Sequence, residues 1–224
     1  YAKATMRGES NGLTLTQSGT QQGLDFDYIT NWSYGIDETL TLLIPNYMGG
    51  ASAGTLDTES ETAQAISKLT GMRSHQLAKT METFRLPLYW GDQPFTAGPV
   101  YVGAIVCFLF VLGLFILPNK QRWWLLAATV LGILLSWGYH FEAFSRFFVN
   151  YVPMYAQFRT VSMTLTITCL CLCIMAFLAV KKGCSNTQEN NLRHLYTAAG
   201  ITAGICLLFA LMPWLAGSFT APSD

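Results

Sequence analysis

Charge is scarce in this 224-residue chain: Asp, Glu, Lys and Arg make up 12% of it, the two signs cancel at thirteen each, and three residues are histidine. It has no basic patch, no zinc-ligand spacing and no phosphate-cradling glycine loop, which argues against a nucleic-acid or nucleotide module. Cysteine is missing from the polar first 97 residues. Cys107, Cys169, Cys171, Cys173 and Cys206 all fall in apolar runs and Cys184 lies between two of them, so a disulfide framework is excluded. The run Cys169-Leu-Cys171-Leu-Cys173 invites a metal, but at about 100° per residue Cys171 points away from the face that Cys169 and Cys173 share. Packing between helices is the better account of these small, polarizable side chains. An initiator Met and a charged-then-apolar signal are also missing at Tyr1, and the last residues follow directly on a hydrophobic segment. We therefore expect a piece of a longer polypeptide.

What the chain does have is long apolar runs. Residues 98–117, GPVYVGAIVCFLFVLGLFIL, carry no charge, and twenty residues of helix rise about 30 Å, the thickness of a bilayer core. Residues 123–139, 161–180 and 195–217 are nearly charge-free as well. The alternative, buried helices of a large soluble core, does not suit four such runs in the last 130 residues. The charges divide accordingly: residues 1–97 hold ten of the thirteen acidic and six of the thirteen basic residues, the remainder three and seven. Of those seven, Lys120, Arg122, Lys181, Lys182 and Arg193 sit in two short connections. The positive-inside rule puts both in the cytoplasm and residues 1–97 outside.

Within the polar segment, residues 1–17 read as a β-hairpin and 18–23 as a loop. Residues 24–38 then interleave Asp25, Asp27, Asp37 and Glu38 with Phe26, Tyr28, Trp32 and Tyr34. Rings beside carboxylates suit sugar stacking, but they equally suit an interfacial belt, the better account of any single residue here. Glu38 and Asp37 directly precede the apolar residues 40–44, and a carboxylate desolvated at such an edge is raised toward the range of a general base. Thr58-Glu-Ser-Glu61 matches a capping box for a helix with Ala63, Ile66 and Leu69 on one face and Gly71 as its stop. Ser74 can cap a second helix that buries Leu77, Met81 and Phe84 and leaves His75 in solvent. Tyr89, Trp90 and Phe95 form a belt before the first run, with Pro99 just inside the helix start.

Between the second and third runs, Phe141, Phe144, Phe147, Phe148 and Tyr151 share one face, with Glu142 and Arg146 paired on the other. That pattern predicts an amphipathic helix over 141–152 lying in the interface. Arg159 stands at the mouth of the third run, where a guanidinium either grips a phosphate or snorkels to lipid headgroups. The expected fold is mainly α and integral to a membrane: about four transmembrane helices (98–117, 123–139, 161–180, 195–217), an extracytoplasmic α+β segment over 1–97, and a tail over 218–224.

Two stretches, residues 32–46 (WSYGIDETLTLLIPN) followed by 89–103 (YWGDQPFTAGPVYVG), resemble the YfhO family of large bacterial multi-pass membrane proteins. So do residues 153–163, PMYAQFRTVSM, although Thr-Val-Ser-Met stands where the family pattern places a second arginine. The resemblance covers roughly residues 32–180 and implies similarity to the GT-C glycosyltransferases, which move sugar from a polyprenyl-phosphate carrier to an acceptor outside the cytoplasm. It implies a bacterial inner-membrane location, with membrane lipid and the lipid-linked sugar as partners. The essential acidic loop would lie before Tyr1. Arg159 would then hold the carrier phosphate, Trp32, Tyr34 and Tyr155 would line the substrate cleft, and Glu38 and Asp37 are the candidates for a catalytic base in this segment. No cofactor is assigned, and a divalent cation is left open. The competing readings are a transporter or envelope-polymer assembly factor, and a glycan-binding module that the helices anchor. No ionisable residue lies at the centre of a run, which counts against a proton-coupled carrier.

Overall fold

A computed structural model describes residues 24–55, 59–71, 76, 79, 87–98, 100–157, 159–185 and 189–212. The helical block is built from helices α3 (Ala104–Ile116), α4 (Asn119–Ser136), α6 (Leu165–Ser185) and α7 (Glu189–Leu211). Pro118 separates the first two: it cannot continue α3, but its fixed φ suits the start of α4, where it is the N-cap. α6 carries both neighbours. On one side Leu117, Leu125, Cys171 and Met175 form a buried cluster between α3, α4 and α6. On the other, Gly132 lets α4 approach so closely that an added Cβ would strike the Thr168 hydroxyl. The Thr164 hydroxyl donates to the Gly132 carbonyl (3.0 Å) and the Thr168 hydroxyl to the Thr129 carbonyl (3.3 Å). Small residues and hydroxyls are what join helices where apolar burial gives no driving force.

Two helices are long and apolar enough to cross a membrane: Val161–Ser185, which includes the 3-10 turn Val161–Thr164 before α6, and Leu192–Leu211 within α7. A third exists if Asn119–Ser136 and Gly138–Tyr151 count as one span, but they are bent by 110°. The expectation of about four transmembrane helices is therefore corrected to two or three. α3 has only 13 residues, because residues 100–103 are non-helical and the N–H groups of Val102 and Gly103 bond the Leu42 carbonyl instead (both 3.3 Å). The run at 123–139 breaks at Gly138, whose φ of 49° is left-handed. Beyond the break a 3-10 turn (Gly138–Phe141) leads into α5 (Glu142–Tyr151), where Arg146 Nε donates to Glu142 as the spacing predicts (2.6 Å).

The expected α+β segment is corrected too. Among the described residues there is no strand, and the chain before α3 contributes helices α1 (Phe26–Thr30) and α2 (Glu61–Thr70), a 3-10 turn (Asp37–Leu42) and one isolated bridge between Gly49 and Tyr89. Side chains bond their own backbone here, which favours tight turns over extended pairing: Thr30 to Phe26, Ser33 to Thr30, Thr41 to Glu38. The hairpin expected at 1–17 and the tail at 218–224 lie outside the described residues, as do Ser74, His75, Leu77, Met81 and Phe84 of the second expected helix. α2 is capped by the Ser60 hydroxyl and stopped by left-handed Gly71; Ala63 is buried, but Leu69 is exposed.

Candidate functional site

The polar segment docks on the broken end of α4 through backbone and side-chain bonds. Tyr34 N–H donates to the Ser136 carbonyl (2.8 Å), Tyr139 N–H to the Ser33 hydroxyl (3.0 Å), and the Trp137 indole to the Thr39 hydroxyl (3.0 Å). This fixes the Asp37–Leu42 turn over the start of α3, with the Thr41 hydroxyl on the Val100 carbonyl (3.2 Å). Glu38 in that turn is fully buried. Its Oε1 accepts from the Tyr89 hydroxyl (2.8 Å) and the Gln93 amide (3.0 Å), and its Oε2 from Gly35 N–H (3.0 Å). Burial still prevails over these three donors, and the Asp92 charge adds to it, so Glu38 sits above the ordinary carboxylate range.

Asp92 faces the same glycine. A Cβ on Gly35 would lie 3.0 Å from Asp92 Oδ2, 3.2 Å from Glu38 Cβ and 3.6 Å from Glu38 Oε2, so the bare glycine is what lets the two carboxyl groups converge. The same Asp92 oxygen lies 3.0 Å from His140 Nε2. His140 Nδ1 is 3.3 Å from the Trp137 carbonyl, so both ring nitrogens face oxygen atoms. Tyr139 stacks on this imidazole at 4.0 Å. Glu38 is closed to solvent, whereas the Asp92 side chain is 41% exposed. Asp92 is therefore the group that an outside molecule can reach, and Glu38 stands behind it.

A second group lies across the rim. Arg159 is exposed and lies over two rings, 5.2 Å from Trp32 and 5.6 Å from Tyr28, and Trp32 meets Phe95 edge-on at 5.3 Å. Trp32 thus links the arginine to the loop that carries Asp92 and Gln93. Among the residues that the sequence singles out, Tyr34 is fully buried with its hydroxyl on Thr41, so it supports the turn and lines no open cleft. Tyr155 packs on Phe148 (5.8 Å); its phenol is pushed up to about 12 by burial, and its hydroxyl has no hydrogen-bond partner among the described residues. Asp37 is exposed at the start of the turn. The structure thus brings Glu38 together with four residues that sequence reasoning missed as site residues: Tyr89, Asp92, Gln93 and His140. The signal available was two isolated titratable residues, Asp92 shortly before the first apolar run and His140 directly after the second. Among the described residues, no three or more His, Cys, Asp or Glu side chains are grouped to hold a metal ion.

The fold defines a helical protein with two or three helices able to span a membrane and a carboxylate–imidazole site where the polar segment meets them. No family model, curated protein or solved structure matches the chain.

Proposed function

We propose that the chain is part of a bacterial inner-membrane transferase that moves a sugar from a polyprenyl-phosphate carrier to an acceptor outside the cytoplasm, as the resemblance to the YfhO family implies. The observation that carries the reading is the reachable Asp92–His140 pair, backed by buried Glu38. It lies at the ends of α3 and α4 opposite Lys120 and Arg122, so the positive-inside rule puts it, with residues 1–97, on the extracytoplasmic side.

In this mechanism Asp92 takes the proton of an acceptor hydroxyl as that oxygen attacks the anomeric carbon of the sugar. The bond from that carbon to the carrier phosphate breaks, and the phosphate leaves with the electron pair. Arg159, held on Trp32 and Tyr28, meets the phosphate charge. His140 positions Asp92 through Nε2, and Glu38 positions the Asp92 loop through Tyr89 and Gln93.

The test uses the full-length protein in nanodiscs supplied with polyprenyl-phosphate sugars. Asp92→Asn is expected to lower transfer by about 10²–10⁴-fold, the range of a general base, and Arg159→Ala to weaken carrier use. Wild-type transfer in both variants would end the assignment of these residues. No transfer by the wild type with any lipid-linked donor would favour a non-enzymatic assembly factor or transporter instead.

A further inference from the structure

On the far side of the Glu38 turn lies a cavity of about 480 Å³, lined by Leu43, Ile44, Tyr47, Trp90, Cys206 and Phe209 among others. One wall is the loop that follows Glu38, and the other is the end of α7. The roof is held by an edge-on contact between Tyr47 and Phe209 (5.5 Å). Exposed Ala210 also lines it, on a stretch of α7 where Leu207, Leu208 and Leu211 are exposed, so the cavity is continuous with the surface that this candidate span turns to lipid.

We propose that the cavity holds one acyl chain of a bilayer phospholipid, which supports the turn carrying Glu38. Its walls are almost wholly apolar, so water finds few partners there, while an empty space deprives the wall atoms of dispersion contacts. A hydrocarbon chain from the adjoining bilayer supplies those contacts. No lining residue is charged, so nothing in the wall grips a phosphate. Exposed Arg159 stands elsewhere, on Trp32 and Tyr28. The cavity therefore recognises the chain of an ordinary phospholipid and not the headgroup of a special carrier. The link to the site is short: Trp90 N–H donates to the Met48 carbonyl (3.2 Å), and the residue before it, Tyr89, donates to Glu38. This inference does not depend on the transferase reading.

The test places the whole protein in nanodiscs of phosphatidylethanolamine with brominated acyl chains, which quench tryptophan on contact. The difference in emission between wild type and Trp90→Phe isolates Trp90, and it is expected to be strongly quenched. Ala210→Phe fills the cavity and is expected to abolish that quenching and to lower the phospholipid retained in mild detergent by one molecule per chain. Cys206→Leu is a second, gentler filling variant should Ala210→Phe fail to fold. Ile201→Phe, on the opposite face of α7, is expected to change neither readout. Unquenched Trp90 in the wild type, equal quenching in a folded filling variant, or loss of lipid in Ile201→Phe as well would each overturn the proposal. Displacement of the retained phospholipid by stoichiometric polyprenyl phosphate would overturn the choice of occupant.

Discussion

Glu38 is a buried carboxyl group above its ordinary pKa, and that has a consequence for stability. In the folded protein it holds its proton at pH values where the unfolded chain has released it, so the folded state binds more protons. Its contribution is complete below the ordinary glutamate value and is lost as pH rises through the raised one. We expect thermal stability to decline with rising pH across that window, and Glu38→Gln to flatten the decline; an unchanged pH profile in the variant would contradict this. Gly35 gives a steric counterpart. In Gly35→Ala the new Cβ meets Asp92 Oδ2 at 3.0 Å and Glu38 Cβ at 3.2 Å. Overpacking of this kind costs about 1–3 kcal/mol, readable as a lower Tm, and is expected to part Asp92 from His140. Glu38 was legible in the sequence because it stands where polar residues give way to an apolar run. Asp92 and His140 were not, because a pair 48 residues apart acquires meaning only when two loops converge.

Among the elements, α6 was the most legible, since hydropathy measures composition and α6 carries no charge before Lys181 in its last turns. The break in α4 was not legible in the same way. Gly138 ends the helical run through its backbone angle, which hydropathy does not report. The amphipathic pattern in α5 was visible from its aromatic spacing, and the structure stacks Phe141 on Phe144 (5.3 Å) and sets Phe144 against Phe148 (5.0 Å). The strand part of the expectation rested on the alternation in residues 1–17, which lie outside the described residues; in the described part of the polar segment Thr30, Ser33 and Thr41 turn their hydroxyls to nearby carbonyls. The α4–α6 contact makes its own prediction. Thr168→Ala removes one interhelical hydrogen bond and is expected to cost about 0.6 kcal/mol, as such bonds do in membranes. Gly132→Val drives a side chain into Thr168 and is expected to cost several times more in the same denaturation assay.

For the whole molecule, the positions of the basic connections lead to a topology that labelling can check. Cys184 is exposed in the last turn of α6, beside the connection to α7, and a cysteine placed at exposed Ala53 reports on the site side. A membrane-impermeant thiol reagent is expected to reach Cys184 from the cytoplasmic face and Ala53→Cys from the opposite one; labelling of both from one face would refute the orientation.

The short helix α3 adds a mechanical point. Its 13 residues rise roughly 20 Å, about 10 Å less than the bilayer core, while neighbouring α6, at 21 residues, covers the full depth. The missing length is made up by residues 100–103 and by the Asp37–Leu42 turn that they bond. In a bilayer the membrane beside α3 either thins, at fractions of a kcal/mol per ångström, or admits the turn below the headgroup plane. Either way the bilayer surface dips toward the turn that carries Glu38.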